Sequence, residues 1–417
     1  DLKIMQKKDS KYYLAKDNQE VTLPSTIQDV IMARVDSLTE GAKELLQTGS
    51  VIEREFSYKL IKRMTSFTRD ELLSHLSALK DSELLYERGI YPESTYIFKH
   101  ALTREVVYDS ILTKRKKRLH ESAGKAIEDL YKENIDKHFG ALAEHFIISD
   151  KYERGAEYSR LAGKKAEKTG SINDALTFAK KRIACLERLS QTNDVLKGII
   201  DTRTNLGLYL SQLCDFVASK EAIDPIIDTA LQGGYERRLS QIYSIIGANY
   251  LFVEEDFLKA SEKLEKALKI SKEKHGFASL FFANFWFGIA LSYNCEFEKA
   301  LRYLEKSLNY NVAANRLWAV SLVKNCLSCF VYHYQGRLNL GYQTSHEASR
   351  LAEESGDALS KATAYFVLGV SSFFKGFLEE AETMRLPLGN AQGSEYKKKL
   401  EQIQKTCFEL WRQHPWK

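Results

Sequence analysis

Small residues recur along the C-terminal two thirds of the chain at a nearly constant spacing, within otherwise apolar stretches. The first set is spaced 40 or 41 residues apart and consists of Gly207, Gly247, Gly288, Cys329 and Gly369. A second small residue follows each of these after 12 or 13 positions, namely Ser219, Ala260, Ala300, Gly341 and Ala381. The apolar residues around them keep helical spacing. This pattern predicts a helix, a short turn and a second helix in every period.

An apolar residue stands at each of the predicted turns. These residues are Phe216, Phe257, Phe297, Leu338 and Phe377. Small side chains allow two helices to approach closely, and the apolar residue after the turn fixes the hairpin. Each hairpin then needs a neighbour to bury its remaining apolar face, so the hairpins are expected to stack into an array.

The repeated unit resembles the tetratricopeptide repeat (TPR). Its best match runs from Tyr243 to Tyr250, with Ala260 beyond the turn. The period of about 40 residues exceeds the 34 of that family, which predicts longer helices or turns. We therefore predict an all-α fold, with a TPR-like α-solenoid over residues 136–390 and a capping helix over residues 391–417.

Residues 25–135 follow a different pattern. Ser25 or Thr26 is placed to cap one helix and Thr39 a second, and a capping box that begins at Thr68 precedes a third. Two short runs with strand character follow, joined by a turn around Pro92. Three helices followed by a short β-hairpin is the element order of a small winged-helix-like domain.

Several motifs between residues 12 and 190 resemble the region that follows the ATPase core in signal-transduction ATPases of the AAA or STAND type. In that family an AAA-like ATPase and a repeat tail are joined to a class III adenylate or guanylate cyclase, or to a kinase or a transcription factor. The motifs are L-P-S-T-I-Q-D-V-I-M-A-R-V-D-S-L at 23–38, V-I-E-R-E-F-S at 51–57, S-E-L-L-Y-E-R-G at 82–89 and Y-I-F-K-H-A-L-T-R-E-V-V-Y-D-S-I-L at 96–112.

The resemblance implies that residues 1–24 are the trailing edge of an ATPase domain, whose body lies upstream and binds ATP. The chain begins with Asp1 instead of Met, so we expect it to be part of a larger protein. It contains no G-x-x-x-x-G-K-[ST] motif, and no cofactor is expected in this part of the protein. The chain is therefore predicted to be non-catalytic and regulatory, with an intramolecular ATPase and an effector such as a cyclase as its targets.

Composition agrees with a helical, water-soluble protein. The 417 residues are 44% hydrophobic and 28% charged, carry a net charge of +5 and include only five prolines. No stretch of about 18 uncharged apolar residues occurs, and the N-terminus lacks the apolar core of a signal peptide. Six scattered cysteines do not suggest a disulfide framework. We expect a cytoplasmic protein that does not bind membranes.

His100 begins the helix after the predicted hairpin, in the motif F-K-H-A-L. The resemblance implies that this histidine senses the nucleotide state of the ATPase. A histidine that caps or packs against the start of the helix is the more ordinary interpretation, because helix starts recruit such side chains.

A run of five basic residues is the strongest concentration of charge. It consists of Lys114, Arg115, Lys116, Lys117 and Arg118. Beside a winged-helix-like fold the run suggests contacts with phosphates, and a nucleic-acid-binding regulator is the alternative function. However, the helix over residues 69–81 that would enter a groove starts with Asp70 and Glu71. A solvated face or a contact with the ATPase domain is therefore favoured, and nucleic acid is an unlikely partner.

Aromatic residues of the repeats are the candidates for partner binding. Repeat arrays bind extended peptides on their concave face through side chains of successive first helices. The candidates are Tyr250, Phe285, Tyr293, Tyr332 and Tyr334. We predict a protein or peptide partner there, whereas most of the aromatic stretch over residues 277–288 is expected to be helix core.

No metal site is predicted. Cys326 and Cys329 share a helix face, but no second pair of ligands follows at a suitable spacing, so buried core thiols are expected. His120-Glu121 resembles half of a zinc-protease motif, but Gly124 stands where the second histidine is needed.

Overall fold

The structure is a computed structural model, and it describes residues 5–8, 11–14, 26–273 and 277–384. The chain divides into two compact units, Asp1–Lys151 and Tyr152–Lys417. The predicted capping helix over residues 391–417 lies outside the described residues. None of the described helices combines the length and the apolar character that a membrane crossing needs.

The first unit combines helices with short strands. Its α-helices are α1 (Ile27–Asp36), α2 (Glu40–Ile52), α3 (Tyr58–Met64), α4 (Arg69–Asp81), α5 (Ala101–Asp109), α6 (Thr113–Leu130) and α7 (Phe139–Ile148). Its strands are β1 (Met5–Lys8), β2 (Lys11–Leu14), β3 (Glu55–Ser57), β4 (Leu85–Arg88) and β5 (Thr95–Phe98). A 3₁₀ turn over Lys132–His138 separates α6 from α7.

The predicted caps begin three of these helices. The Thr26 hydroxyl accepts a hydrogen bond from the backbone N–H of Asp29, and Thr39 caps α2 in the same way. Thr68 and Glu71 form the predicted capping box at α4, since each side chain accepts from the other residue's backbone N–H. Each cap satisfies amide groups that have no partner inside the helix.

β1 and β2 pair with each other, and the predicted hairpin belongs to a separate sheet that has three strands instead of two. β5 lies in the middle and pairs antiparallel with β4 on one side and with β3 on the other. β3 has only three residues, too few for an alternating pattern to be visible in the sequence. Its Phe56 is buried and stacks on Tyr96, which holds the strand against the sheet. The winged-helix-like interpretation of this unit stays a prediction.

The first unit extends beyond residue 135, where the sequence places the start of the repeats. Phe146 of α7 is fully buried, and its ring lies against α6 at Gly124, where an added Cβ would be 2.7 Å from the ring. His145 of α7 also contacts His120 of α6. These contacts join α7 to the helix before it and place it in the first unit.

The second unit is an all-α, TPR-like solenoid of helical hairpins. Its α-helices are α8 (Tyr152–Lys168), α9 (Ile172–Leu186), α10 (Asn193–Gln212), α11 (Phe216–Ile223), α12 (Ile227–Gln232), α13 (Glu236–Phe252), α14 (Phe257–Glu273), α15 (Phe277–Tyr293), α16 (Phe297–Ala313), α17 (Leu317–Cys326), α18 (Leu338–Ser355), α19 (Ala358–Phe374) and α20 (Leu378–Thr383). Six hairpins pair α8 with α9, α10 with α11, α13 with α14, α15 with α16, α17 with α18 and α19 with α20. This confirms the predicted fold class.

The paired small residues are the points of closest approach within the hairpins. A Cβ added at Gly247 would lie 2.5 Å from Leu264 and 3.3 Å from the carbonyl oxygen of Ala260. A Cβ added at Gly288 would lie 2.7 Å from Leu304 and 3.3 Å from the carbonyl oxygen of Ala300. Each glycine therefore faces the backbone of the small residue on the second helix and the leucine one turn further on, and the prediction of close helix approach is confirmed.

The α17–α18 hairpin departs from the predicted pairing. Ser328, and not Cys329, faces Gly341, because the Ser328 hydroxyl donates a hydrogen bond of 2.8 Å to the Gly341 carbonyl oxygen. A π-helical turn over Leu327–Tyr332 follows α17 directly. Such a turn adds a residue to the helix and changes which side chains face the partner helix.

Candidate functional site

The second unit contains a cavity of about 480 Å³. Its wall comes mainly from the first helix of each hairpin, and α15, α17 and α19 contribute most of it. First helices line the cavity because the second helices pack behind them, which leaves the inward faces of the first helices uncovered.

Aromatic rings form much of the cavity wall. Phe216 and Phe252 stack with their ring centroids 4.5 Å apart. Trp286 meets both rings edge-on, at 5.6 and 5.7 Å, and Tyr293 meets Phe252 edge-on at 5.9 Å. Edge-to-face pairs at these distances are favourable, so the rings hold each other in place.

α15 supplies the largest share of rings because it is apolar on every side. Such a helix is buried on all sides. One face packs on α13 and α16, and another face forms part of the cavity wall. Phe281, Phe282, Phe285 and Trp286 of this helix line the wall. The sequence pattern indicates a core helix here but does not distinguish core from cavity.

Two polar side chains in this apolar wall have no hydrogen-bond partner among the described residues. Asn325 is 1% exposed, and both its Oδ1 and its Nδ2 lack a partner. The Nε1 of Trp286 also lacks one. Other buried asparagines differ: Asn284 donates to the carbonyl oxygen of Leu280 at 2.6 Å. A buried amide without a partner costs about 1–3 kcal/mol, so Asn325 is an unusual choice for a purely structural position.

Three exposed cations mark the mouth of the cavity. Lys164 and Lys168 lie one turn apart on α8, and Arg316 occupies the N-cap position of α17. Within the described part of the chain no ion pair or side-chain hydrogen bond is formed by any of the three. Two carboxylates, Glu167 and Asp357, also line the cavity, so the three cations leave an excess of one positive charge and a mildly positive potential there.

The two carboxylates at the cavity are already engaged. Glu167 accepts a hydrogen bond of 3.0 Å from the Tyr209 hydroxyl. Asp357 caps α19 by accepting from the backbone N–H of Ser360 at 2.7 Å. Both carboxylates keep their charge, because their donors are neutral, but part of their hydrogen-bonding capacity is used, so the cations are the more available groups.

The α8–α9 hairpin and the last hairpin among the described residues, α19–α20, meet at this mouth. A Cβ added at Gly170, in the turn after α8, would lie 3.8 Å from the carboxylate of Asp357. The hydroxyl of Ser360 donates to the carbonyl oxygen of Trp318 at 3.4 Å, which connects α19 to the start of α17. Residues almost 200 positions apart in sequence are thereby brought to one opening.

The structure places three of the five predicted partner-binding residues at the cavity, Phe285, Tyr293 and Tyr334. Tyr250 and Tyr332 are not among the lining residues; their rings lie beneath the cations of Lys259 and Arg337, respectively. The binding role of all five stays a prediction.

Several residues of the cavity were not predicted from the sequence. They are Trp286, Trp318, Asn325 and the three cations Lys164, Lys168 and Arg316. An asparagine inside an apolar helical run is the one signal that the sequence carries for the polar position. Cys326 and Cys329, predicted as core thiols, also line the cavity, and Cys326 is buried whereas Cys329 is half-buried.

The predicted candidates of the first unit do not form a site together. His100 is exposed at the N-cap position of α5 and makes no capping hydrogen bond with its side chain. In the basic run, Arg115 pairs with Glu44 at 3.2 Å. Lys116 lies 4.0 Å above the Tyr108 ring, which partly shields it.

A buried pair of histidines joins α6 and α7. The Nδ1 atoms of His120 and His145 lie 2.9 Å apart, and the Tyr108 hydroxyl lies 3.0 Å from His120 Nε2. Burial lowers the pKa of His120 to about 3, and the neighbouring His145 and Lys116 add to this effect. Burial lowers the pKa of His145 to about 4. Both rings are neutral near pH 7, so the Nδ1–H of one histidine donates to the Nδ1 of the other.

In the described residues no three His, Cys, Asp or Glu side chains come together as a metal site would need.

No protein-family model matches the chain, and no curated protein matches it either. Among solved structures, it is similar to a signal transduction ATPase with numerous domains (STAND) with a tetratricopeptide repeat sensor from Pyrococcus horikoshii, at 17% identity and a TM-score of 0.51. That match covers 94% of this chain and 55% of the other, so this chain spans about half the length of the STAND protein.

Two further solved structures match at lower TM-scores. A Rap protein complexed with competence and sporulation factor matches at 12% identity and a TM-score of 0.45, covering 92% of this chain and 99% of its own. BtubC from P. vanneervenii matches at 14% identity and 0.33, covering 74% and 96%. At these identities the first similarity shows the fold alone, and the two lower TM-scores carry no argument.

Proposed function

We propose that this chain is a non-catalytic sensor segment of a multidomain signalling ATPase, and that its TPR-like repeats bind a peptide or small ligand. The observation that carries this proposal is the aromatic cavity in the second unit, with its unpaired Asn325 amide and its cationic mouth. The proposal that the chain belongs to a signalling ATPase is supported by residues 12 to 190, because their motifs resemble the region that follows an ATPase core.

In this proposal the ATPase domain lies upstream, binds ATP and is joined to an effector such as a cyclase. Ligand binding regulates that output only if the repeats bind the ligand with different affinities in two states of the protein. A coupling free energy of about 1–3 kcal/mol changes the affinity by roughly 5- to 150-fold.

The proposal is tested on the complete protein by deleting residues 190–417. ATP turnover and effector output are measured for the intact and the shortened protein. We expect the deletion to change the basal rate or to abolish its response to ligand. Unchanged turnover and output would overturn the regulatory role.

A nucleic-acid-binding regulator is the second candidate, and the charges of α6 do not favour it. Arg115 pairs with Glu44, Lys116 lies 3.8 Å from Asp109, and Lys117 pairs with Asp150. Cations with acidic partners attract phosphates less strongly. Replacing residues 114–118 by serine tests this candidate: we expect no salt-dependent duplex binding by the original chain or by the variant, whereas binding lost in the variant would favour it.

A further inference from the structure

We infer that the cavity of the second unit binds a small amphipathic carboxylate that has an apolar body, at least one amide group and a free carboxylate. An N-acyl amino acid and the C-terminal end of a short apolar peptide share this chemistry. The inference rests on the proposed ligand-binding function and defines its ligand class.

The size of the cavity sets the first limit. Sites for small molecules measure about 300–1,000 Å³, and this cavity of about 480 Å³ lies within that range. A folded partner does not enter such a space, whereas a small molecule or a few residues of extended chain do.

The wall determines the body of the ligand. Phe216, Phe252, Phe285, Trp286 and Phe330 line it, and rings of this kind favour aliphatic or aromatic groups that leave water. A strongly polar body such as a sugar would lose its hydrogen bonds to water and gain few in return.

Asn325 determines the polar group within that body. Its side chain offers one acceptor oxygen and one donor NH₂ group, and neither has a partner among the described residues. A secondary amide is the complement, because it presents one N–H and one C=O side by side. Asn325 is one of the residues that line the cavity, so an amide group of the ligand is the partner that these two buried atoms lack.

The mouth determines the charged end. Lys164, Lys168 and Arg316 line it without forming ion pairs, and the two carboxylates there, Glu167 and Asp357, keep their charge but accept hydrogen bonds from Tyr209 and Ser360. A carboxylate is attracted by the excess of positive charge and accepts hydrogen bonds from these cations, and the planar guanidinium of Arg316 suits a carboxylate in particular. With the body in the cavity, the carboxylate then lies at the solvent edge.

The experiment uses the complete chain and calorimetric titration with three probes. The first is acetyl-Leu-Leu-Phe with a free carboxylate, the second is the same peptide with a C-terminal amide, and the third is N-decanoylglycine. We expect the free acid to bind about tenfold or more tightly than the amidated peptide, as the loss of a charge-assisted contact predicts. The relative affinities of the first and third probes distinguish a peptide from an acyl compound as the source of the ligand.

Variants locate the binding. The double variant Lys164→Gln/Lys168→Gln is expected to remove most of the difference between the acid and the amide, whereas Lys180→Gln, at an exposed position of α9 outside the cavity, keeps it. Asn325→Leu is expected to weaken all three probes. Asn284→Leu removes a buried asparagine outside the cavity and serves as the control for folding.

Equal affinity of the acid and amidated peptides would overturn the inference that the ligand carries a carboxylate. The variant Leu322→Trp, which fills the cavity, then tests the proposed function separately. If it abolishes the binding of both peptides, the cavity is still the binding site and the proposed function remains. Failure of all three probes to bind the folded chain would overturn the ligand class, and the deletion of residues 190–417 then decides the proposed function independently. Equal loss of binding in Lys180→Gln and the double variant would also contradict the inference.

Discussion

At the scale of single residues, Asn325 is the side chain whose chemistry departs most from its surroundings. It lies in an apolar wall with no hydrogen-bond partner among the described residues. Natural proteins keep such groups where binding needs them, at a cost in stability. The pattern of apolar positions predicts the helix around Asn325 but not this role, because periodicity does not report hydrogen bonding.

Asn325→Leu is expected to stabilise the chain by about 1 kcal/mol, because an amide without a partner is replaced by an apolar group of similar size. Asn284→Leu is expected to destabilise it, because it removes the hydrogen bond to Leu280. Urea unfolding of both variants measures the two changes. A destabilised Asn325→Leu variant would show that the amide has a stabilising partner.

One backbone feature recurs in the turns of five hairpins. The left-handed residues there are Cys214, Glu255, Cys295, Gly336 and Gly376, with φ between 54° and 80°. They are again 40 or 41 residues apart, but three of them have side chains. Sequence reasoning missed this repeat, because only two of the five positions carry the glycine that would reveal it.

Glu255→Gly is expected to raise the free energy of unfolding by up to about 1 kcal/mol, since a left-handed residue with a side chain is strained. Gly376→Ala is expected to lower it by a similar amount. Glu254→Gly, whose residue lacks this conformation, is the control and should not stabilise. Chemical denaturation gives all three values, and stabilisation of both glutamate variants would exclude the backbone explanation.

At the scale of elements, the hairpins depend on close helix contacts at which one residue is a glycine and has no side chain. Gly247 faces Leu264 and Ala260 so closely that an added Cβ would clash. Gly163, on α8, has its nearest contact at 3.4 Å, with the Cβ of Phe178, which is ordinary packing. Two helical glycines therefore respond to the same substitution in opposite ways.

Gly247→Ala is expected to destabilise the second unit by about 1–3 kcal/mol through overpacking. Gly163→Ala is expected to be neutral or to stabilise by about 0.5–1 kcal/mol, as alanine is the better helix former. Thermal unfolding distinguishes the two. Equal effects would mean that helix propensity, and not the helix contact, decides.

The histidine pair predicts how the contact between α6 and α7 responds to acid. The pKa of His120 and that of His145 are lowered in the folded chain from their ordinary value of 6.5. The unfolded chain therefore binds more protons below pH 6.5, and stability present above that pH is lost as the pH falls towards 4. The slope is at most about 1.4 kcal/mol per pH unit for each histidine.

Unfolding midpoints measured between pH 7 and 4.5 test this expectation. The double variant His120→Gln/His145→Gln is expected to show a shallower pH dependence than the original chain, because it lacks the two buried histidines. Some pH dependence is expected to persist, because carboxylates also bind protons over this range. His75, a histidine of α4 whose ring meets Phe67 edge-on and is not part of the pair, provides the matched control as His75→Gln. The same slope in all three proteins would exclude the buried pair as its cause.

The elements show where sequence reasoning succeeds and where it fails. The hairpins from α10 to α20 were predictable, because paired small residues mark both helices of each hairpin. Strand β3 and the π-helical turn over Leu327–Tyr332 were not, because the strand has three residues and the turn shifts the register within an apolar run. Cys329 was consequently assigned the position that Ser328 occupies.

At the scale of the whole molecule, the fold class follows from the repeat and the cavity does not. A repeat predicts that first helices face one side, but which of their rings pack and which stay uncovered depends on the curvature of the array. The mouth is less predictable still, since Lys164 and Arg316 lie more than 150 positions apart in the chain.

A bound ligand should protect the helices that surround it. At a concentration 100 times its Kd, a ligand stabilises the folded form by about 2.7 kcal/mol. With acetyl-Leu-Leu-Phe present, amide exchange is expected to slow in α15, α17 and α19, which line the cavity, and less in α14, behind it. Mass spectrometry measures the exchange, and uniform slowing would place the ligand elsewhere.

The approach of Gly170 to Asp357 has a consequence for cooperativity. In a stacked array each hairpin touches its neighbours, so melting can begin at either end and spread one step at a time. A molecule bound between α8 and α17 would connect hairpins that are far apart in the array. The terminal hairpins would then unfold in the same transition as the central ones. Recognition of the ligand would then be a property of the finished array, which no single hairpin possesses.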